Sequence, residues 1–183
     1  MKRPTKYTVI NNPLDDYDFS FRRCHAAEIG AYFFATVFLI LISALFVCTE
    51  KDGWTVLSKN LHYPIGFFVP FFLMGLSMTY RIKRVKKIIE NGKKTEGEVI
   101  SYRRIRVNVR SGGISSKPNH TLLNIRFRDK GERECTISVG RKFPEKVLAS
   151  PYCTVYILDD KVFVTGFILR KKGDPKISFE LKE

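Results

Sequence analysis

The chain has 183 residues, a formal charge of +14 and a pI near 9.8. Four widely spaced cysteines, Cys24, Cys48, Cys135 and Cys153, fit neither a zinc motif nor a disulfide framework. Two long apolar runs occupy much of the first half, which leaves Thr95 to Glu183 for a soluble core and excludes a large enzyme fold.

Residues 1–28 are polar and nearly neutral, with five Lys/Arg against four acids. They read as a cytoplasmic segment in which Asp15-Asp16-Tyr17-Asp18 is a solvated strip or one that lies on a basic domain. That strip lacks the glycine and distal glutamate of a calcium loop.

A two-helix hairpin is predicted over 29–80. Ile29 to Cys48 is twenty residues without a charge, the length that crosses about 30 Å of hydrocarbon as a helix. A run that begins after twenty-eight polar residues does not resemble a cleaved signal. The second span, Leu61 to Tyr80, carries Pro64 in its first turn, where the missing N–H costs nothing. Pro70 lies deeper, where it frees a carbonyl near Gly66 and should kink the helix. Between the spans, a short loop with Trp54 is expected at the outer surface.

Residues 81–94 hold seven bases against Glu90 alone. Lys and Arg gather on the cytoplasmic side of membrane proteins. Arg22 and Arg23 before the first span and Arg81 to Lys87 after the second therefore predict both termini inside. Asn119-His120-Thr121, a glycosylation sequon in form, would then go unused. Ile82, Val85, Ile88 and Ile89 recur at helical spacing, so this basic connector is expected to continue the second span as an amphipathic helix in the membrane interface. Arg81, Lys83, Arg84, Lys86 and Lys87 would meet anionic headgroups. Asn91-Gly92 ends it, with glycine supplying a left-handed cap.

From 95 to 183 short alternating runs separated by turn residues predict an all-β domain, a partly open barrel of OB or SH3 type. The expected strands are Glu98 to Val109, Leu122 to Arg128, Arg133 to Val139, Cys153 to Leu158, Val162 to Leu169 and Ile177 to Leu181, with a helical turn around Glu145 to Leu148. Core positions are Ile105, Val107, Val109, Leu123, Ile125, Phe127, Cys135, Ile137 and Val139. Ser111 to Pro118 reads as a hairpin loop, Asp129-Lys-Gly131 as a tight turn. On the opposite face Arg104 and Arg106 are expected to stand beside Arg126, Arg128 and Arg133, an arginine surface suited to phosphates, lipid headgroups, nucleic acid or an acidic protein, or one that only solubilises the domain.

Two spans, a basic helix, Gly92 and then Thr95-Glu-Gly-Glu-Val-Ile100 resemble the bacterial membrane family called domain of unknown function 3592. Gly97 and Val99 match the start of that family's first strand, and Val155-Tyr-Ile-Leu-Asp-Asp160 is similar to its apolar strand with an acidic turn. The likeness runs from about Ile65 to Gly166, with Pro151-Tyr152 where the family has Gly-Asp. It implies an architecture and no activity.

A hydrolase elbow, a phosphate loop and a zinc-protease helix are missing, and His25, His62 and His120 lie far apart. Cys24 beside His25 makes no metal site. The expectation is a non-enzymatic inner-membrane protein without cofactor, whose barrel docks through Arg104, Arg106, Arg126 and Arg128 on a protein or an anionic membrane, with self-association compatible. Single-stranded nucleic acid needs stacking platforms, for which only Tyr102 and Tyr156 are available. Small size and missing catalytic residues also suit a self-protection protein that neutralises a toxin. Pro70 and Gly75 suggest a pore or transporter subunit, although mid-span ionisable residues are lacking.

Overall fold

The structure is a computed structural model that describes residues 7–49, 53–105, 120–140, 142 and 144–171. In chain order the elements are β1 (Thr8–Ile10), α1 (Phe21–Thr49), α2 (Gly53–Lys59), α3 (His62–Asn91), β2 (Lys93–Ile105), β3 (His120–Arg128), β4 (Glu132–Val139), α4 (Pro144–Val147), β5 (Tyr152–Leu158) and β6 (Lys161–Thr165). The hairpin loop expected at Ser111 to Pro118, Val107, Val109, Arg106 and the strand expected at Ile177 to Leu181 lie outside the described residues. Two compact units emerge: Ser20–Lys83, and a second one made of Met1–Phe19 together with Arg84–Glu183.

The first unit holds α1 and most of α3, two helices that are long and apolar enough to cross a membrane. Their most apolar windows are only 11% and 17% buried, whereas a core helix of a soluble protein is mostly covered. The helices meet along an aromatic seam. Tyr32 lies against Phe72, Phe38 stacks on Phe71 at 5.3 Å, and Phe46 stacks on Tyr63 at 6.0 Å. Rising numbers on α1 meet falling numbers on α3, so the pair is antiparallel. Gly75 fits under Tyr32, since a Cβ there would come within 2.6 Å of the ring. Small residues at such crossings let membrane helices approach closely. At the same end the Thr79 hydroxyl donates to the Glu28 carboxylate. Its single proton thus used, Thr79 accepts from the Tyr32 hydroxyl at 3.0 Å. His25 Nδ1 lies 3.0 Å from the other Glu28 oxygen. Pro70 sits inside an unbroken α3, and the segment around Trp54 forms α2 in place of the expected loop.

The connector departs from expectation in what its apolar face meets. Ile82, Val85 and Ile88 are at most 3% exposed, so that face is spent on protein contacts and is not laid into a bilayer interface. The stretch Arg84 to Asn91 clusters with the β strands. Gly92 also acts differently from a left-handed cap, because its φ is not positive. A Cβ there would lie 2.4 Å from the Ile88 carbonyl and 3.1 Å from that of Ile157, so close backbone approach demands glycine.

The second unit is a nearly closed, barrel-like sheet of six strands in the order β1-β6-β5-β2-β3-β4. All neighbours are antiparallel except β1, which runs parallel to β6 with Val9 opposite Val162. Asn11 draws β1 toward β4 by accepting the Ser138 N–H at 3.4 Å. Leu123, Ile125, Phe127, Cys135, Ile137 and Val139 are buried as expected, with Val99, Val155 and Val162. Asp129-Lys130-Gly131 closes β3 to β4 with Gly131 at φ 149°, and Asp159 at φ 55° turns β5 into β6. The latter strand stops at Thr165, before Gly166 at φ 69°, and Leu169 returns only as a bridge to Leu148.

Residues 7–19 belong to this core, so that Asp15-Asp16-Tyr17-Asp18 lies on the β domain, the second of its two expected places. Tyr17 is 2% exposed, packs edge-on to Phe167 and donates its hydroxyl to the Lys142 carbonyl at 2.8 Å. Asn12, 7% exposed, accepts the Leu14 N–H and donates to the Asp16 carbonyl, which folds the acidic segment into a turn. Phe19 covers the fully buried Phe163. The domain boundary therefore falls near Phe19 and not at residue 28.

Burial of Cys135 and Cys153 drives each thiol up to about 12, so neither is a reactive thiolate near neutral pH. Both report on opening of the barrel. Tyr17→Ala removes a buried aromatic ring and should cost about 3 kcal/mol, raising the maleimide labelling rate of both cysteines in detergent-solubilised protein about a hundredfold. Unchanged rates would show that residues 7–19 do not hold the core.

Candidate partner-binding face

One irregularity decides where the arginines go. Register in β2 runs evenly from Gly97 to Val99 and then slips at Ile100, so that Val99 faces Ile125 but Ser101 faces Asn124. A bulge of this kind adds one residue and reverses which side chains point inward. Gly97, Val99 and Tyr102 consequently share the core side, while Ser101 and Arg103 stand outside. Ile105, expected in the core, pairs with His120 on the outer side.

The arginine surface expected from alternation is divided by this slip. Arg104 is paired with the buried Thr121 on the core side of the sheet and stacks its guanidinium 5.9 Å from the Tyr102 ring centre. Arg133 pairs with Phe127 and also falls on that side. Arg126 and Arg128 remain outside. Arg106 is outside the described residues. Tyr102, once a candidate stacking platform, is 4% exposed and cannot offer its face to a base.

On the outer face charge alternates from strand to strand. Arg126 lies between Glu98 of β2 and Glu134 of β4, with its guanidinium 3.5 Å from the Glu134 carboxylate. Arg128 faces Glu132. Opposite charges directly across a sheet contribute about 0.2 to 1 kcal/mol each, and they cancel the one-sided field that phosphates or nucleic acid require. Below them Asn124 joins Ser101 and Thr136 in a hydrogen-bonded row at 2.8 Å on either side.

Two adjoining hollows open beside these rows. One, of about 490 Å³, is lined by Glu96, Glu98, Arg126, Arg128, Glu132 and Tyr152. The other, of about 440 Å³, is bounded by Lys94, Glu96, Thr154, Ile168 and the same Tyr152. Tyr152 and Ile168, 50% and 55% exposed, are the two large apolar side chains left open on the β unit among the described residues. Tyr152 is cross-strand partner to Glu98 and forms the ridge between the hollows. Sequence reasoning missed it. The available signal was the position itself: if Cys153 and Val155 face the core, Tyr152 must face out.

At one end of the barrel Tyr7 donates to Asp129 at 2.8 Å, and Lys93 Nζ lies 3.2 Å from the other carboxylate oxygen. These bonds hold the Asp129 carboxyl below the ordinary carboxylate range, and the same bond, with burial, pushes the Tyr7 phenol up. Among the basic-connector residues Arg81, Lys83, Lys86 and Lys87 are exposed and Arg84 is half-buried. No group of His, Cys, Asp or Glu among the described residues is arranged to hold a metal. Family models, curated proteins and solved structures gave no match to this chain.

A carboxyl whose folded pKa is depressed stabilises the fold above its unfolded pKa and loses that contribution as pH falls through the folded value. The Tyr7–Asp129–Lys93 cluster should therefore support the barrel at neutral pH and weaken below about pH 4. Asp129→Asn should cost about 1 kcal/mol at pH 7 and flatten the acid limb of a melting-temperature profile. An acid limb identical to that of the parent protein would contradict this role.

Proposed function

We propose that the protein is a membrane-tethered, non-enzymatic binding protein whose β domain, of the small-barrel class that includes OB and SH3 types, docks on a protein partner. The observation that carries this reading is Tyr152, exposed between two hollows edged by Glu96, Glu98, Arg126 and Arg128, with Ile168 exposed at the edge of one of them. An apolar centre with a mixed-charge rim is how protein interfaces are built, and tyrosine and arginine dominate their energetics. Alternating Glu and Arg columns favour a partner of complementary pattern over a uniform polyanion. Arg126 and Arg128 stay in the binding set, whereas Arg104 lies on the other side of the sheet and is expected to be silent.

The two spans supply the tether. We place it in a bacterial inner membrane with the β domain in the cytoplasm, on the strength of Arg22, Arg23 and the bases that follow Tyr80. The likeness to domain of unknown function 3592 supports the same architecture. Gly75, which prompted the pore reading, is accounted for by the Tyr32 ring packed over it.

Affinity purification from native membranes tests the docking face. Tyr152→Ala together with Ile168→Ser should reduce capture of the principal co-purifying protein at least tenfold, Arg126→Ser with Arg128→Ser should reduce it by a smaller factor, and Arg104→Ser should leave it unchanged. Full capture by the Tyr152/Ile168 variant would exclude this face.

A further inference from the structure

Of Arg81, Lys83, Arg84, Lys86 and Lys87, the three lysines share one side of α3, whereas Arg81, though exposed, falls on the side of the apolar residues. At 100° per residue, Ile82, Val85, Ile88 and Ile89 occupy one side of the helix and Lys83, Lys86 and Lys87 fall within an arc of about 100° on the other. The first three of those isoleucine and valine positions are at most 3% exposed, so the helix cannot turn that side outward without opening the protein. Arg84 is half-buried toward the apolar side. Glu90 shares the lysine arc and approaches Lys86 to 3.8 Å, with both side chains more than half exposed. Such an exposed pair is weak, and the stripe keeps a net charge of about +2.

The height of the stripe is also set by the helix. α3 is continuous from His62 to Asn91, so Lys83, Lys86 and Lys87 lie about 4.5, 9 and 10.5 Å beyond Tyr80, the end of the apolar span. The headgroup layer is about 5 to 7.5 Å deep on each side, so Lys83 stands within it. Lys86 and Lys87 start just beyond it and reach back several ångströms, because side chains on a helix lean toward its N-terminus, here the membrane end.

We infer that Lys83, Lys86 and Lys87 form a binding stripe for the phosphates of anionic phospholipids, and that Arg84 has no part in it. Lysine suits this role because it acts as a mobile point charge with three donors and does not need the fixed geometry of an arginine fork. The stripe is a contact separate from the Tyr152 ridge, so its test is independent of the docking partner.

Native mass spectrometry of the full chain in detergent, titrated with phosphatidylglycerol or phosphatidylcholine, reads the inference directly. The parent protein should retain phosphatidylglycerol in preference to phosphatidylcholine. Each Lys→Gln change should lower that preference about fivefold, and the three together should abolish it. Lys→Arg at all three positions should restore most of it, and Arg84→Gln should leave it intact. Should the triple Gln variant fail to fold, judged by Cys135 and Cys153 labelling, Lys87→Gln alone carries the test. Equal retention of both lipids by the parent, an unchanged preference in the Gln variants, or a loss in Arg84→Gln as large as in the lysine variants would overturn the inference.

Discussion

The rest of the structure depends on residues from the start of the chain completing a core whose other strands lie beyond both membrane-type helices. β1 adds a parallel strand beside β6 and Tyr17 is buried in the same cluster as Leu123, Ile125 and Val155. A parallel pair needs a long crossover, and here the whole helical hairpin serves as the connection. A hairpin inserted into one folded domain must leave and re-enter on the same side of any bilayer it crosses. The fold therefore requires Arg22 and Arg84 to share a side of any bilayer the hairpin crosses.

The same economy governs the connector. An amphipathic helix beside a membrane can lay its apolar side on lipid or on protein, and burial of Val85 and Ile88 resolves that choice in favour of protein. The exposed lysines are then fixed in direction, because the helix that carries them is packed at Val85 and Ile88 and ends where the backbone closes on Gly92. On the barrel, the slip at Ile100 sends Arg104 to one side of the sheet and Arg126 to the other, and what remains outside is a chequered Glu/Arg surface around Tyr152.

Much of this architecture was legible in the sequence, for physical reasons. Spans of twenty apolar residues have few other uses, and strict alternation in Leu123-Asn-Ile-Arg-Phe127 allows one inward set. What escaped is equally instructive. Thr8–Ile10 is three residues long and meets its partner only after some 150 intervening positions, so no local pattern announces it. The bulge at Ile100 leaves apolar and polar residues in an order that simple alternation reads wrongly, so Ile105 and Arg104 exchange sides while Arg126 and Arg128 keep theirs. Tyr17 stands among three aspartates, a composition that conceals its burial, and Asn12 and a turn at Asp15 bring it inward. The outward place of Tyr152 follows from the parity of β5, where Cys153 and Val155 face the core.

The whole arrangement rests on residues 7–19 joining the strands beyond α3 in one barrel. Thr8 and Lys161 are register partners across β1 and β6, and cysteines at such a distance can form a disulfide without moving the backbone. In the full chain, Thr8→Cys with Lys161→Cys should cross-link on mild oxidation, joining an N-terminal peptide to one from beyond the helices, while Thr8→Cys with Lys146→Cys should not. Failure of the first pair to cross-link, or equal cross-linking of both, would contradict a barrel closed by the N-terminal strand.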